Sequence, residues 1–449
     1  MTTVALPVEI KSRELYGKTW LGLCLVNNGY KVVIGESKEM VRWLDKIEPE
    51  IYITKDVGDT NIEFISTLVD AGILVCGLDP EDGVVGDNRQ VNKIENKQTV
   101  LDYLSVYFSW GNTQTDALTS VDSTCRISTT GNPRFDLLSP SLRHIYSRQK
   151  KEFADKYGEY VLFNTNFVYG NHYDPEIGKE QRDKFHKDNQ TDQIRYTTRL
   201  RHYFIQAILA VDSITEIQTV IVRPHPSEDV QTYKNEFEKY ENIVVDQKGD
   251  VRSWILGSEA VVHNGCTTGI ESALLNTPVI SYEPIKDDEH RRPLPTLVSR
   301  SVSDVGSLCT ALREYLQSDL HYEMTTSQTK NLKKYFHNID TFASESIVDE
   351  INNLDTNDSI SSDKLQLGLR NELIRNVMGL PYSDNIAAVY SQFTGYNKGY
   401  HEQKFPALSK DELRTICTLF NDALSYDVER IQVDRVERSE NVFSLSLST

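Results

Sequence analysis

Residues 260–282 read Ala260-Val261-Val262-His263-Asn264-Gly265-Cys266-Thr267-Thr268-Gly269-Ile270-Glu271-Ser272-Ala273-Leu274-Leu275-Asn276-Thr277-Pro278-Val279-Ile280-Ser281-Tyr282. An apolar run enters a turn of small residues, a helical stretch follows, and a second apolar run begins after a proline. That order is one strand–helix–strand unit of a parallel sheet. At the helix start the backbone N–H groups, the hydroxyls of Thr267 and Thr268 and the positive end of the helix dipole converge, as a phosphate site requires. The same residue types also make an ordinary helix N-cap, and their spacing alone does not separate the two. Glu271, one turn further on, reaches a ribose hydroxyl in the first reading and complements the helix dipole in the second.

Working outward, further apolar runs suit strands at Tyr160–Asn164, Thr219–Arg223, Ile243–Val245 and Pro278–Tyr282. Arg223-Pro224-His225-Pro226-Ser227-Glu228 follows one of them. Two prolines fix the backbone around His225 and stop the strand, which sets an imidazole at the carboxyl edge of a sheet, where α/β proteins bind ligands. A histidine there hydrogen-bonds or protonates a leaving phosphate, and Arg223 adds positive charge. Asn171 to Gln193 is polar and reads as an excursion over a cleft.

The first 140 residues repeat the pattern, with strands expected at Val4–Val8, Lys31–Ile34, Glu50–Ile53, Ile73–Leu78, Val106–Trp110 and Cys125–Ser128, and a helix over Lys18–Asn28. Asp79-Pro80-Glu81-Asp82-Gly83 ends one of these strands. Adjacent carboxylates supply a general base when proximity raises one pKa, although the segment also suits a plain acidic turn. Glu9, Lys11, Arg13 and Glu14 precede Tyr16-Gly17-Lys18 and either bind an acceptor or phosphate or line a solvated loop.

The expected fold is therefore α/β, with two Rossmann-like domains facing a cleft. They span residues 1–140 and 141–345. Residues 346–449 read as a linker and a mostly helical extension, with helices at Lys364–Met378 and Ser409–Leu424.

The chain's 449 residues carry 48 Lys plus Arg and 66 Asp plus Glu, a net charge of −18. That balance argues against broad adhesion to nucleic acid or anionic lipid. Six scattered cysteines form no zinc or disulfide spacing and suit a reducing compartment. No apolar run approaches the roughly 20 residues of a membrane span, and Met1 to Val8 lacks a leader pattern. The expectation is a cytoplasmic protein, peripheral at most at the inner face of the membrane, docking through a local patch such as Arg291-Arg292 or the tail. No motif speaks to its oligomeric state.

Taken together these segments look like a GT-B glycosyltransferase. The chain more closely resembles the bacterial surface carbohydrate (surface polysaccharide) biosynthesis family. The resemblance rests on Pro7-Val8-Glu9 with Arg13-Glu14, Phe108-Ser109-Trp110-Gly111, Thr130 to Asp136, Asn164-Thr165-Asn166-Phe167, Arg223 to Glu228, Trp254-Ile255-Leu256 and His263 to Pro284. Glu81-Asp82-Gly83, His225-Pro226 and Thr267-Thr268 are in turn similar to the ordered motifs of bacterial sialyltransferases and Kdo transferases, although the pair there is more often Ser-Ser or Ser-Thr.

That similarity implies an inverting, metal-independent transfer from a CMP-activated sugar of the Kdo or nonulosonic type to a glycan or lipid-linked acceptor. Glu81 or Asp82 would be the base, and His225 would serve the leaving phosphate. Arg223, Pro226, Ser227, Asn264, Gly265, Cys266, Thr267, Thr268, Gly269 and Glu271 would line the donor site. Glu9, Lys11, Arg13, Glu14 and Asn166 would meet the acceptor or a phosphate. CDP-glycerol and CDP-ribitol polyol-phosphate transferases, UDP-sugar 2-epimerases and a non-catalytic assembly component share enough of the pattern to stand as alternatives.

Overall fold

The computed structural model describes residues 1–55, 57–58, 61–80, 98–174, 176, 178–179, 191–287, 293–317, 322–337, 341–356, 404–424 and 428–448. Glu81, Asp82, Arg291 and Arg292 lie outside them, as does the helix expected over Lys364–Met378. The chain divides into two compact units, one from residues up to Leu142 and from Lys334 onward, the other from Arg143 to Lys333.

The first unit carries an eight-stranded sheet. Its strands are β1 (Thr3–Val8), β2 (Lys31–Glu36), β3 (Ile51–Thr54), β4 (Leu74–Gly77), β5 (Val106–Ser109), β6 (Arg126–Thr129), β13 (Ile431–Arg435) and β14 (Val442–Leu447), in the order β13-β14-β2-β1-β3-β4-β5-β6. β1 to β6 are parallel. β1, β3 and β5 are buried at every residue, as a sheet covered on both faces requires. The first helix, Lys11–Asn27, begins well before the expected Lys18. Its opening turn is charged yet helical, because the Glu14 carboxylate accepts the N–H groups of Glu9 (3.4 Å) and Ile10 (3.1 Å) and pairs with Lys18 one turn on (2.9 Å).

The tail differs most from expectation. Helix Lys410–Thr418 lies within the expected Ser409–Leu424, but β13 and β14 then form an antiparallel hairpin that pairs with β2. Ile431 and Val433 are buried while Gln432 is exposed, a two-residue period that a helix does not give. The boundary expected near residue 345 also moves, since residues from Lys334 already belong to the first unit. Asp136 caps the returning helix Ala343–Asn352 by accepting from Ala343 N (2.7 Å), Ser344 N (2.9 Å) and Ser344 Oγ (2.7 Å). Trp20 packs against Phe342 and Phe420, with ring centroids 5.5 and 5.4 Å away.

The second unit is a six-stranded, wholly parallel sheet of β7 (Tyr160–Asn164), β8 (Thr219–Arg223), β9 (Ile243–Val245), β10 (Ala260–His263), β11 (Val279–Tyr282) and β12 (Arg300–Val302). Its order, β12-β11-β10-β7-β8-β9, is that of a dinucleotide-binding sheet, with the chain reversing direction of build at β7. Its core unites Val161, Phe163, Phe204, Val220, Val222, Val262 and Ile280. Runs of consecutive apolar side chains in short parallel strands explain why the sequence located β7 to β11 to within a residue.

Candidate functional site

In the second unit the crevice between the carboxyl ends of β7 and β10 is the topological switch point, where open α/β sheets take their ligands. Asn166 and Asn264 meet there, Asn264 Nδ2 donating to the Asn166 carbonyl at 3.1 Å. A pocket of about 70 Å³ opens beside them, lined by Asn166, Tyr169, Asn264, Gly265, Tyr282 and Glu283 among others. Drug-sized sites run to roughly 300–1,000 Å³, so this pocket holds one ring or one charged group of a larger ligand. A wider depression of about 550 Å³ at Arg300–Thr310 lies on the outer strand of the sheet, and its Arg300 is committed to Glu314 at 2.5 Å.

Gly265 turns the chain from β10 into the helix Thr267–Leu274 with φ +80°, a left-handed conformation that favours glycine. Beneath the turn His263 is fully buried. Its Nδ1 accepts from Gly265 N–H (3.0 Å) and its Nε2 faces Ser299 Oγ (2.8 Å), whose hydroxyl donates to the Pro295 carbonyl (2.6 Å). This chain of bonds assigns the proton to Nε2, and burial lowers the pKa to about 3, so the imidazole stays neutral. Gly269 sits on the ring: a Cβ there would come within 2.4 Å of His263 Nε2. The phosphate-style turn is thus pinned from below by a histidine.

The helix start is partly used by the protein itself. Cys266 is the N-cap, its sulfur accepting from Thr268 N–H at 3.4 Å and lying against the Thr268 hydroxyl. Glu271, expected at a ribose, is fully buried and pairs with Arg252 (3.2 Å), which also holds Asp250 (2.9 Å). Burial alone would lower the pKa of Arg252, but Asp250, Tyr146 and Glu271 outweigh it and the net shift is upward. Arg223 departs from expectation in the same way. It is buried, and its guanidinium donates to the carbonyls of Gln247 (3.2 Å) and Gly249 (2.9 Å), so it fixes the loop after β9. The physical reason is common to both: these side chains arise where helix and sheet pack, and a charge buried there must find a partner inside.

His225 stands at the carboxyl end of β8, half-buried, with Pro226 exposed beside it. Ser227 N–H donates to its Nδ1 (3.1 Å), which leaves the neutral ring with its proton on Nε2, and Gln247 Nε2 donates to its carbonyl (2.9 Å). Glu228 accepts from His225 N–H (3.1 Å), Thr165 Oγ1 (2.7 Å) and Tyr233 Oη (2.5 Å). Burial raises the Glu228 pKa against those bonds. Glu228 closes the Arg223–Glu228 motif, where no role was expected of it. An acid three residues after the histidine was the available signal, whereas Gln247 and Tyr169 carried none.

Glu9, Lys11, Arg13 and Glu14 lie in the first unit, at the carboxyl end of β1. Glu9 is held by Lys55, just past β3, and by Lys404 of the tail (2.8 Å). Burial raises the pKa of Glu9, but Lys55 and Lys404 reverse this and bring it to about 2. Glu14 is likewise drawn to about 2 by Lys18 and Arg13 against its burial. Lys11 donates to Glu412 (2.7 Å) and to the Ala407 carbonyl (2.7 Å). Lys11, Arg13 and Glu14 thus stand in the first turn of a helix and not in a loop.

Among the described residues no group of His, Cys, Asp and Glu side chains is arranged to hold a metal ion, and no helix is long and apolar enough to cross a membrane.

No protein-family model matches the chain, and no curated protein matches it. Solved structures do. The UDP-GlcNAc 2-epimerase of Methanocaldococcus jannaschii is 13% identical with a TM-score of 0.52, covering 78% of this chain and 99% of its own. The same enzyme in complex with UDP-GlcNAc and UDP gives 12% and 0.50, with the same coverage. UDP-GlcNAc 2-epimerase of Neisseria meningitidis bound to UDP-GlcNAc is 11% identical with a TM-score of 0.51, covering 79% of this chain and all of its own. At such identities the likeness is one of fold, the GT-B-like pair of Rossmann-like domains that the sequence led us to expect.

Proposed function

We propose that the chain is a nucleotide-sugar enzyme of surface-polysaccharide synthesis, a metal-independent GT-B glycosyltransferase whose second unit holds the nucleotide. The observation that carries this reading is the switch-point crevice of the second unit, where Asn166 and Asn264 meet beside a helix start bearing Thr267 and Thr268. His225, with its Nε2 proton, opens from the neighbouring strand of the same sheet and donates to the departing phosphate as charge builds there. The assignment of Glu81 or Asp82 as base stands on the family resemblance alone.

For the donor, the fold neighbours with weight are UDP-GlcNAc enzymes, so we favour a uridine diphosphate sugar over the CMP-sugar implied by the resemblance. The same neighbours support a second reading, 2-epimerisation of a UDP-sugar. The reading is tested by thermal unfolding with CMP, CDP, UDP and GDP at equal concentration. A ligand at a hundred times its Kd adds about 2.7 kcal/mol, and UDP is expected to give the largest shift. Stabilisation by CMP with none by UDP overturns the donor preference, and no response to any nucleotide overturns the reading. Incubation with UDP-GlcNAc alone then separates the activities, because only an epimerase converts it without an acceptor. His225→Asn lowers turnover by roughly 10²–10⁴-fold in either case while leaving unfolding unchanged.

A further inference from the structure

Glu228 ends the turn that carries His225, yet its side chain folds back into the protein and the residue is only 1% exposed. Its Oε1 accepts from His225 N–H (3.1 Å) and Thr165 Oγ1 (2.7 Å), and its Oε2 accepts from Tyr233 Oη (2.5 Å). Burial raises the pKa, and the bonds from Tyr233, Thr165 and the N–H groups of His225 and Phe167 oppose the rise. All of these donors are neutral. A carboxylate is costly to bury, and an apolar side chain in the same space avoids that cost, so packing alone does not call for an acid at this position.

What the acid does is visible in where its donors come from. Thr165 and Phe167 flank Asn166 in the loop after β7, His225 opens the turn after β8, and Tyr233 lies on the helix Val230–Phe237 that follows. The two loops are also joined through their backbones. Tyr173 N–H donates to the Ser227 carbonyl (3.0 Å), Asp229 N–H donates to the Asn171 carbonyl (2.9 Å), and His172 pairs with Glu228 as an antiparallel bridge. On its other side the β7 loop is tied to the turn after β10 by Asn264 Nδ2 on the Asn166 carbonyl (3.1 Å). Within the His225 turn, Glu228 N–H donates to the His225 carbonyl (2.8 Å) while the Glu228 carboxylate accepts the His225 N–H, so one residue closes the turn from both sides. Ser227, held between them, delivers its N–H to His225 Nδ1 (3.1 Å).

We propose, on the reading that His225 serves the departing phosphate, that Glu228 is a positioning residue: its carboxylate fixes the His225 ring relative to Asn166 and Asn264 by fastening the loops after β7 and β8 to one pair of oxygen atoms. Such an acid touches no ligand and acts through the histidine. Its effect falls on the transition state more than on the bound ground state, because the phosphate gains its extra charge only as the bond to the sugar breaks.

Two near-isosteric variants of the full chain test this. Glu228→Gln puts an amide where one carboxylate oxygen stood, and Thr165→Val unties the β7 loop while leaving the bond to His225 in place. Each lowers the turnover of UDP-GlcNAc about tenfold with KM changed by less than about twofold, and the thermal shift given by UDP is kept. In a His225→Asn background the same substitutions cost nothing further, since the group they position is gone. A loss of equal size in that background, or one carried wholly by KM, overturns the positioning role. A second readout needs no activity. In the full chain carrying isotope-labelled histidine, the ring signal missing from His225→Asn belongs to His225. It reports the Nε2–H tautomer in the parent and a mixture of tautomers in Glu228→Gln and Glu228→Ala, and an unchanged tautomer in both variants overturns the proposal. If no nucleotide stabilises the parent, the nucleotide reading fails, while the ring signal still decides whether Glu228 sets His225.

Discussion

Replacing Arg252 with methionine is the sharpest test of how the second unit is built. Arg252 is 1% exposed and pairs with Glu271, which is fully buried, at 3.2 Å; Asp250 at 2.9 Å keeps some contact with water. Arg252→Met retains much of the apolar volume but takes the guanidinium away from the buried Glu271 carboxylate, a defect worth about 3–5 kcal/mol. Adding Glu271→Leu removes the buried charge, and the double variant returns to parental stability or exceeds it. Urea unfolding of parent, single and double variants measures both effects. A loss below about 1 kcal/mol in the single variant refutes the buried-pair account and returns Glu271 to the ribose role.

Gly269→Ala forces a methyl to within 2.4 Å of a ring that is bonded on both nitrogens, and costs about 1–3 kcal/mol by denaturation, with a matching loss of nucleotide-induced stabilisation if the turn above it shifts. His263 has a folded pKa of about 3, below its unfolded value near 6.5, so the unfolded chain takes up the extra proton between them. Stability accordingly falls as pH drops from about 6.5 toward 3, with a contribution near 1.4 kcal/mol per pH unit that His263→Gln abolishes in a pH series of unfolding curves.

How far the sequence reaches depends on what each residue answers to. Strands β7 to β11 were legible because a parallel strand covered on both faces is built around consecutive apolar side chains, and the turn Asn264–Gly269 was legible because small residues and a left-handed glycine are local requirements. The helix start at Lys11 was hidden: Glu14 caps it by folding back over one turn, and a charged first turn looks like a loop until that bond is seen. Glu271 and Arg223 were misread for a different reason. Their partners, Arg252 and the carbonyls of Gln247 and Gly249, come from other segments of the chain, and no local spacing announces whether a charge at a helix start faces water or the core. The hairpin of β13 and β14 escaped because what holds β14 is its pairing with β2, a strand some four hundred residues earlier, and no local spacing announces that contact.

That hairpin also sets a timetable for making the protein. β2 begins at Lys31, yet the neighbour that covers its outer edge, β14, begins only at Val442. During synthesis the second unit is complete before β14 exists, so the nascent first unit presents an unpaired β2 edge for the time it takes to translate some four hundred residues, tens of seconds at about 5–20 residues per second. Until β14 pairs with it, that edge is an adhesive surface of the nascent chain, and a variant without β14 keeps it exposed for good.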